Sequence, residues 1–107
     1  MPAAAFVAEA PEGTIVGWVH VVGIHCLESD AYAELAGLVV ASGTRRRGAG
    51  RALVSAAEAW AIDHGYAMMR VRSNVTRVEA KPFYERMGYR VVKTQYVFEK
   101  TARTEAD

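Results

Sequence analysis

Apolar residues divide the first part of the chain into three predicted strands. Residues 5–10 and 15–22 are short β-prone runs, and the Pro-Glu-Gly-Thr segment between them has the residue chemistry of a turn. Residues 32–40 are apolar enough for a strand that is covered on both faces. The pattern predicts a hairpin, a loop over residues 23–30 and then a central strand.

Helical spacing replaces this pattern after a segment rich in Gly, Ser and Arg at residues 41–50. The apolar residues that recur at helical spacing are Leu53, Val54, Ala57, Trp60 and Ala61. Gly65 offers a C-terminal stop, and residues 67–72 have the composition of another strand. Residues 32–72 are therefore predicted to form a strand-helix-strand unit with two parallel strands.

The last part of the chain predicts a second helix and a hairpin. Residues 76–79 match a capping box that starts a helix, which Pro82 interrupts or restarts at Phe83 and which Gly88 closes. Residues 89–93 and 96–99 are predicted to form a final hairpin, and residues 101–107 a frayed tail. Without an internal repeat or linker, residues 1–107 are predicted to form one α/β domain with a mixed sheet.

Composition and charge exclude several classes of protein. The 107 residues, 51% of them hydrophobic, suffice for one modest core, and they contain no apolar run long enough to span a bilayer. Because no basic residue precedes the apolar start of the chain, we expect no secretory signal and a cytoplasmic protein. The single cysteine, Cys26, fits a reducing compartment. A net charge of +1 gives little drive toward nucleic acid.

The most informative segment is the glycine-containing loop between the central strand and the first helix. It runs Arg45-Arg46-Arg47-Gly48-Ala49-Gly50-Arg51-Ala52. A helix N-terminus presents backbone N–H groups and a positive dipole end, and glycine lets a phosphate approach the backbone closely. The loop therefore indicates a phosphate ester as ligand, although a solvated basic turn with glycines chosen for their φ angles has the same residues.

Two better-known phosphate loops do not fit this segment. The Walker loop requires Gly-Lys-Ser/Thr, whereas Arg51 and Ala52 follow Gly50. The dinucleotide-binding loop requires a third glycine, where this chain has Leu53, and an acidic residue that residues 67–72 do not supply. Neither a nucleotide triphosphatase nor a Rossmann cofactor site is favoured.

The remaining pattern, Arg45-x-x-Gly48-x-Gly50, resembles the pyrophosphate-binding loop of the GNAT acetyltransferases. Residues 80–89, Ala-x-x-Phe-Tyr-Glu-x-x-Gly-Tyr, resemble the C-terminal signature of that family in spacing and order. The resemblance covers residues 6–100 and its strongest motifs lie within residues 34–89. It implies a GNAT-like fold that binds acetyl-CoA at the junction between the central strand and the first helix.

The resemblance also implies which residues contact the cofactor. In the family, the strand that matches residues 38–40 splays from its neighbour and exposes backbone groups to the pantetheine arm. Asn74 is implied to hydrogen-bond the amide arm, although a turn residue would also suit its position. The implied cofactor-binding residues are Leu38, Val39, Val40, Arg45, Arg46, Arg47, Gly48, Ala49, Gly50, Arg51, Ala52, Asn74 and Tyr84.

Acetyl transfer to an amine assigns roles to individual residues. It requires an unprotonated amine, a site for the developing oxyanion and a proton for the thiolate. Glu34 resembles the glutamate that histone-type members use as a base, although an edge charge is the alternative because many members lack a protein base. Tyr84 resembles the family tyrosine that protonates the cofactor sulfur, with a core aromatic residue as the alternative. The backbone N–H of Val40 is the expected oxyanion donor.

The resemblance departs from the family at the N-terminus. Family members usually begin with a strand and two helices ahead of the hairpin, and residues 1–5 are too few to supply them. We therefore expect an N-terminally shortened fold that lacks part of the acceptor site. Either the chain is truncated, or a second subunit, as in a homodimer, covers the exposed sheet and cleft.

The predicted function is direct transfer of acetyl from acetyl-CoA to a primary amine of a small molecule or protein within a ternary complex. The alternative is a non-catalytic acyl-CoA-binding or sensory module. We expect no metal, because His20, His25 and Cys26 lack the paired spacing of zinc ligands. Trp18 and Trp60 are predicted to pack in the core.

Overall fold

The structure, a computed structural model, describes residues 2–28, 30–42, 48–73 and 75–103. Contacts between residues divide the chain into two compact units, Met1–Thr76 and Arg77–Asp107, and each is described by itself. Within the described ranges, no helix is long and apolar enough to cross a membrane.

The first unit is built on a mixed sheet of four strands in the order β1-β2-β3-β4. The strands are β1 (Ala3–Glu9), β2 (Ile15–Ile24), β3 (Tyr32–Val40) and β4 (Met69–Val71). Pairing is antiparallel except between β3 and β4, which are parallel and joined through helix α1 (Ala49–Asp63). The predicted strand-helix-strand unit and the inner position of β3 are therefore confirmed, with a shorter last strand than predicted.

Helix α1 covers one face of this sheet. Its buried residues are Gly50, Leu53, Val54, Ala57 and Ala61, and the main buried residues of the sheet are Val19, Val21, Ala33 and Leu35. Gly17 shows how closely the helix approaches, because a Cβ there would lie 3.1 Å from Leu53 Cδ1 and 2.8 Å from the Val39 carbonyl oxygen. The apolar residues at helical spacing in α1 and the alternate apolar residues of the strands thus pack together in one core.

Part of the opposite face of the sheet is exposed. Val7, Trp18 and Val39 lie in register across β1, β2 and β3, and all three are exposed, Trp18 to 42%. The prediction that Trp18 packs in the core is therefore wrong. The prediction that β3 is covered on both faces holds at its start, where Tyr32 and Ala33 are buried, and is wrong near its end, where Val39 is exposed. Strand alternation directs alternate side chains to opposite faces, and α1 lies on the other face of the sheet.

A bulge in β3 changes which residues face α1. Leu38 pairs with Val19, yet three residues earlier Leu35 pairs with Val21, so the register shifts and Ala36 has no partner in β2. The extra residue lets two leucines three positions apart lie on the same face, which strict alternation forbids. It also separates the first part of β3, which pairs with β4, from the second.

The second unit contains the short helix α2 (Ala80–Arg86). The predicted capping box is wrong, because the helix begins at Ala80 with Glu79 as its N-cap rather than at Thr76. Pro82 lies in the first turn, where its missing N–H has no intrahelical acceptor to lose. Gly88 ends the helix as predicted, with φ +94°.

The predicted final hairpin does not form. Residues 89–100 carry no strand pairing in the described part of the chain, and Tyr96, Val97 and Phe98 are 84–89% exposed. An isolated two-stranded hairpin is marginal in water unless a third strand or a packed face supports it. The β-prone composition of this segment is therefore not enough to order it as a hairpin.

Candidate active site

The first feature of the candidate site is the point where β3 separates from β4. The ladder between these parallel strands runs from Ala33 opposite Met69 to Leu35 opposite Val71. Strand β3 continues to Val40, and the strand pairing described for this last part is with β2. The predicted cofactor-contacting residues Leu38, Val39 and Val40 thus lie on the part of β3 that extends past the β4 ladder.

The register also sets the direction of the backbone N–H groups on this part of β3. The N–H of Ala41 donates to the carbonyl oxygen of Val16 at 2.8 Å. In an antiparallel ladder, hydrogen-bonded pairs alternate with pairs whose N–H groups point outward. Val40 and Leu38 occupy the alternate positions, so their N–H groups point away from β2. This is the direction that an oxyanion donor on β3 requires.

The N-terminus of α1 is the second feature. Gly48 is its N-cap in the left-handed region, with φ 81° and ψ 9°, and its carbonyl oxygen accepts the N–H of Ala52 at 2.9 Å. Glycine has no side chain with which to cap the helix, and the first turn carries no acidic residue. Positive φ explains the choice of glycine, since a Cβ there would meet no described atom within 4 Å.

The first turn of α1 also borders a cavity of about 290 Å³. Gly48, Ala49 and Ala52 line it from the helix, and Glu9 and Val16 line it from the sheet. Gly48, Ala49 and Ala52, which are all predicted to bind the cofactor, therefore line the same cavity. Gly50 is buried against the sheet and Arg51 is exposed. Arg45, Arg46, Arg47 and Asn74, also predicted to contact the cofactor, lie outside the described residues.

Glu34, the predicted base, lies on the outer face of the sheet near the start of β3. Its Oε1 accepts a hydrogen bond from Arg72 Nε at 3.0 Å, with the two side chains 18% and 47% exposed respectively. Hydrogen bonds to Glu34 and then to Tyr32 raise the pKa of Arg72 above its ordinary value, so the guanidinium stays charged. The carboxylate is thus held by a permanent cation.

A second arginine completes this cluster. Arg70 pairs with Glu34 across the β3–β4 ladder, and its Cζ lies 4.5 Å from the centre of the buried Tyr32 ring. Sequence reasoning missed Tyr32, Arg70 and Arg72. The Arg-Val-Arg alternation was a usable signal, because it places both arginines on one face of a strand. Which residue of β3 they meet depends on the register, which the sequence does not specify.

Tyr84, the predicted acid, belongs to the second unit. It is half-buried on α2, with Phe83 and Tyr89 in edge contact at ring distances of 5.0 and 5.7 Å. Burial raises the pKa of the Tyr84 phenol above its ordinary value of 10, with a smaller opposing effect from Arg77. The hydroxyl therefore carries its proton throughout the neutral range, which a general acid requires.

No metal site accompanies these groups within the ranges that the structure describes. No three His, Cys, Asp or Glu side chains there are close enough together to hold an ion. His25 instead bonds the hydroxyl of Tyr66 through Nε2 at 2.8 Å, and His64 stacks on Trp60 with ring centres 4.3 Å apart. Both histidines thus serve the packing at the C-terminal end of α1.

Comparison with solved structures places this fold among known acetyltransferases. An aminoglycoside N-acetyltransferase, AAC(6')-Iy, in complex with CoA superposes with a TM-score of 0.87 at 20% identity, over 94% of this chain and 77% of that one. The same enzyme with the bisubstrate analog CoA-S-monomethyl-acetylneamine gives 0.83 at 19%, over 94% and 70%. A transcriptional regulator from Bacillus halodurans C-125 gives 0.78 at 24%, over 92% and 66%.

These structural likenesses establish the fold. In sequence, no curated protein matches the chain. The sequence model of the Acetyltransferase (GNAT) domain matches residues 2–91, which is most of the chain and includes the strand-to-helix junction described above. The chain therefore belongs to the GNAT acetyltransferase family.

Proposed function

We propose that this acetyltransferase uses acetyl-CoA as its donor and transfers the acetyl group directly to a primary amine within a ternary complex. The observation that carries the proposal is the junction between β3 and α1. N–H groups that point away from β2, past the end of the β4 ladder, lead within one loop to a helix that begins at a glycine. A thioester with a long amide arm and a pyrophosphate matches these two features in that order.

The cofactor half of the proposal rests on backbone groups. The first turn of α1 offers N–H donors and the positive end of a 15-residue helix to the pyrophosphate. The N–H groups of Leu38 and Val40 point away from β2, the direction in which donors to the pantetheine arm and the thioester oxygen would have to point. The complex of AAC(6')-Iy with CoA supports the choice of ligand, since that protein has the same fold.

The chemical half assigns the two proton transfers. The amine nitrogen adds to the carbonyl carbon, and the N–H of Val40 stabilises the oxyanion that this addition forms; the oxyanion then collapses to the amide as the carbon–sulfur bond breaks. Glu34, directly or through a water, accepts the proton that the amine loses. Tyr84, whose pKa is raised by burial, gives its proton to the departing thiolate. The bisubstrate analog bound to AAC(6')-Iy supports direct transfer, because it joins both reactants in one molecule.

Initial-rate kinetics test the proposal. Acetyl-CoA turnover should be measured with a panel of amines while both substrates are varied. Direct transfer gives intersecting double-reciprocal lines, and a covalent acetyl-enzyme gives parallel ones. Cys26 is exposed and is the sole cysteine, so Cys26→Ser should retain full activity if no acetyl group passes through a thiol. Parallel lines together with an inactive Cys26→Ser would refute direct transfer.

The same panel of amines distinguishes an acetyltransferase from a non-catalytic module that binds or senses acyl-CoA. A non-catalytic module would bind acetyl-CoA, as detected by calorimetry, without consuming it in the presence of any amine. Turnover of any acceptor above the rate of spontaneous hydrolysis excludes that alternative.

A further inference from the structure

The side chains around Glu34 form a compact charged group, here named the β3–β4 cluster and consisting of Tyr32, Glu34, Arg70 and Arg72. All four lie in the first unit, on the sheet face opposite α1. The contacts within the cluster are the Arg72–Glu34 ion pair at 3.0 Å and the stacking of Arg70 on Tyr32 at 4.5 Å.

The charge balance of the cluster is positive. Two guanidinium groups accompany one carboxylate, and the raised pKa of Arg72 keeps that cation charged at any physiological pH. An acceptor that carries several ammonium groups would meet two arginines for each carboxylate, and like charges at such short range repel. The cluster is therefore unsuited to a polycationic acceptor.

The donors of Arg72 are not exhausted by its contacts within the cluster. A guanidinium has five N–H donors, and the hydrogen bond to Glu34 uses one of them. Almost half of the Arg72 side chain is exposed. Arginine prefers planar anions that accept two parallel hydrogen bonds, above all carboxylates. The cluster thus offers a carboxylate-binding cation in direct contact with the carboxylate that we assign as the base.

We propose that the acceptor is a small zwitterion of the α-amino acid class. Its ammonium group binds Glu34 while its carboxylate binds Arg72, with Arg70 adding to the positive field. In an α-amino acid the two charged groups are separated by one carbon, which matches the direct contact between Glu34 and Arg72. This proposal rests on the proposed function, since it identifies the amine that Glu34 would deprotonate.

Binding measurements test the acceptor class independently of turnover. Calorimetry on the protein saturated with CoA compares each common amino acid with its amide, at a pH where both amines are protonated. The amide keeps the ammonium group and the side chain and lacks only the negative charge. We expect the best amino acid to bind at least tenfold more tightly than its amide, as for a charge-assisted hydrogen bond, and neamine to bind more weakly still.

Two substitutions connect that preference to the cluster. Arg72→Gln should reduce the ratio of acid to amide affinity to about one, and Arg72→Lys should restore part of it because the charge remains. Arg70→Gln, which leaves the Glu34 ion pair intact, should reduce the ratio less. Arg103→Gln, an exposed position in the other unit, is the matched control and should leave the ratio unchanged. Thermal melting checks that each variant is folded.

The outcomes distinguish this proposal from the proposed function. Equal affinity for acid and amide, tighter binding of neamine, or no binding of any amino acid would overturn the acceptor class. Acetyl transfer to any other amine would in that case still support the proposed function. Conversely, a tenfold preference that Arg72→Gln removes would support a zwitterion site even if no amine were acetylated, and the proposed function alone would then fail.

Discussion

The two ends of β3 differ in the chemistry that they present. At its start the strand pairs with β4 on one side and β2 on the other, and its outer face carries Tyr32 and Glu34 in contact with two arginines. Near its end β3 no longer pairs with β4, and its side chains are apolar. The polar groups there are backbone N–H groups and the N-terminus of α1. The bulge at Ala36 separates the two parts.

This difference suggests how one strand could contact both the cofactor and the acceptor. Backbone groups and a helix dipole bind a large anionic cofactor without regard to side-chain identity. Ionisable side chains discriminate between acceptors and move protons, and they therefore depend on the individual sequence. In this chain we assign cofactor binding to the end of β3 and acceptor chemistry to its start. The following predictions test that division.

The largest expected effect comes from a residue outside β3. If Tyr84 supplies the proton to the thiolate, catalysis is not confined to the strand. Tyr84→Phe keeps the ring and its contacts with Phe83 and Tyr89, so cofactor affinity should barely change. The chemical step should slow by roughly 10²–10⁴-fold, the usual worth of general-acid catalysis.

Single-turnover kinetics at saturating acetyl-CoA measure that step without interference from product release. Because burial raises the pKa of Tyr84, the wild-type rate should not fall as the pH rises toward 10, the ordinary pKa of the phenol. A variant as fast as the wild type would remove Tyr84 from the mechanism.

Removing the charge of Glu34 should have the next largest effect. Glu34→Gln should lower turnover at neutral pH on the order of 100-fold, and the activity should recover as the pH rises, because the ammonium group of the acceptor then loses its proton unaided. Affinity for acetyl-CoA should stay unchanged, since Glu34 lies at the other end of β3 from α1. A pH profile parallel to that of the wild type would leave Glu34 as a purely structural partner of Arg72.

A negative charge introduced at Gly48 should weaken cofactor binding, which we assign to the end of β3, without affecting the acceptor chemistry at its start. Asp and Asn both tolerate the left-handed region, so Gly48→Asp and Gly48→Asn differ mainly in charge. We expect the aspartate variant to bind CoA roughly 30-fold more weakly than the asparagine variant, from about 2 kcal/mol of lost and repulsive interaction with the phosphates.

Gly65, at the other end of α1, provides the control for this pair. Its φ of +83° matches that of Gly48, and a Cβ there also meets nothing within 4 Å in the described part of the chain. Gly65→Asp should therefore leave CoA affinity unchanged when measured by calorimetry. Equal weakening by Gly48→Asp and Gly65→Asp would mean that the effect is on the helix rather than on a phosphate.

The last prediction concerns the folding stability of the sheet that carries both ends of β3. Gly37 and Gly17 lie on opposite faces of the sheet, and a Cβ at either would approach a neighbouring atom to 2.8 Å. At Gly37 that atom belongs to the exposed ring of Trp18, which can turn away, whereas at Gly17 it is a backbone oxygen. Gly17→Ala should cost about 1–3 kcal/mol of folding stability, the usual range for overpacking, and Gly37→Ala less. Denaturant titration of both variants decides the order.

The elements of the first unit were largely predictable, because helical spacing at residues 53–61 and an apolar run at residues 32–40 depend on local sequence. The glycine at the start of α1 was predictable for the same reason. The exposure of Trp18 was not, since alternation tells which residues share a face and not whether that face is covered. The β3–β4 cluster was missed because it depends on the register of a three-residue ladder.

The segment after α2 shows a further limit. Residues 89–99 have β-prone composition, but strand formation requires a partner, and the pattern of a single segment cannot specify one. The roles of Glu34 and Tyr84 remain predictions for a related reason. They belong to different compact units, and a shared reaction requires their side chains to meet one substrate.

The exposed position of Trp18 gives the molecule its own optical reporter. The indole lies over Gly37 beside the bulge, on the face that carries Glu34, while Trp60 is stacked on His64 at the far end of α1. The fluorescence of Trp18 should shift when an acceptor displaces water from the sheet. With Trp60 replaced by Phe, the remaining emission would follow acceptor binding in real time without any attached dye.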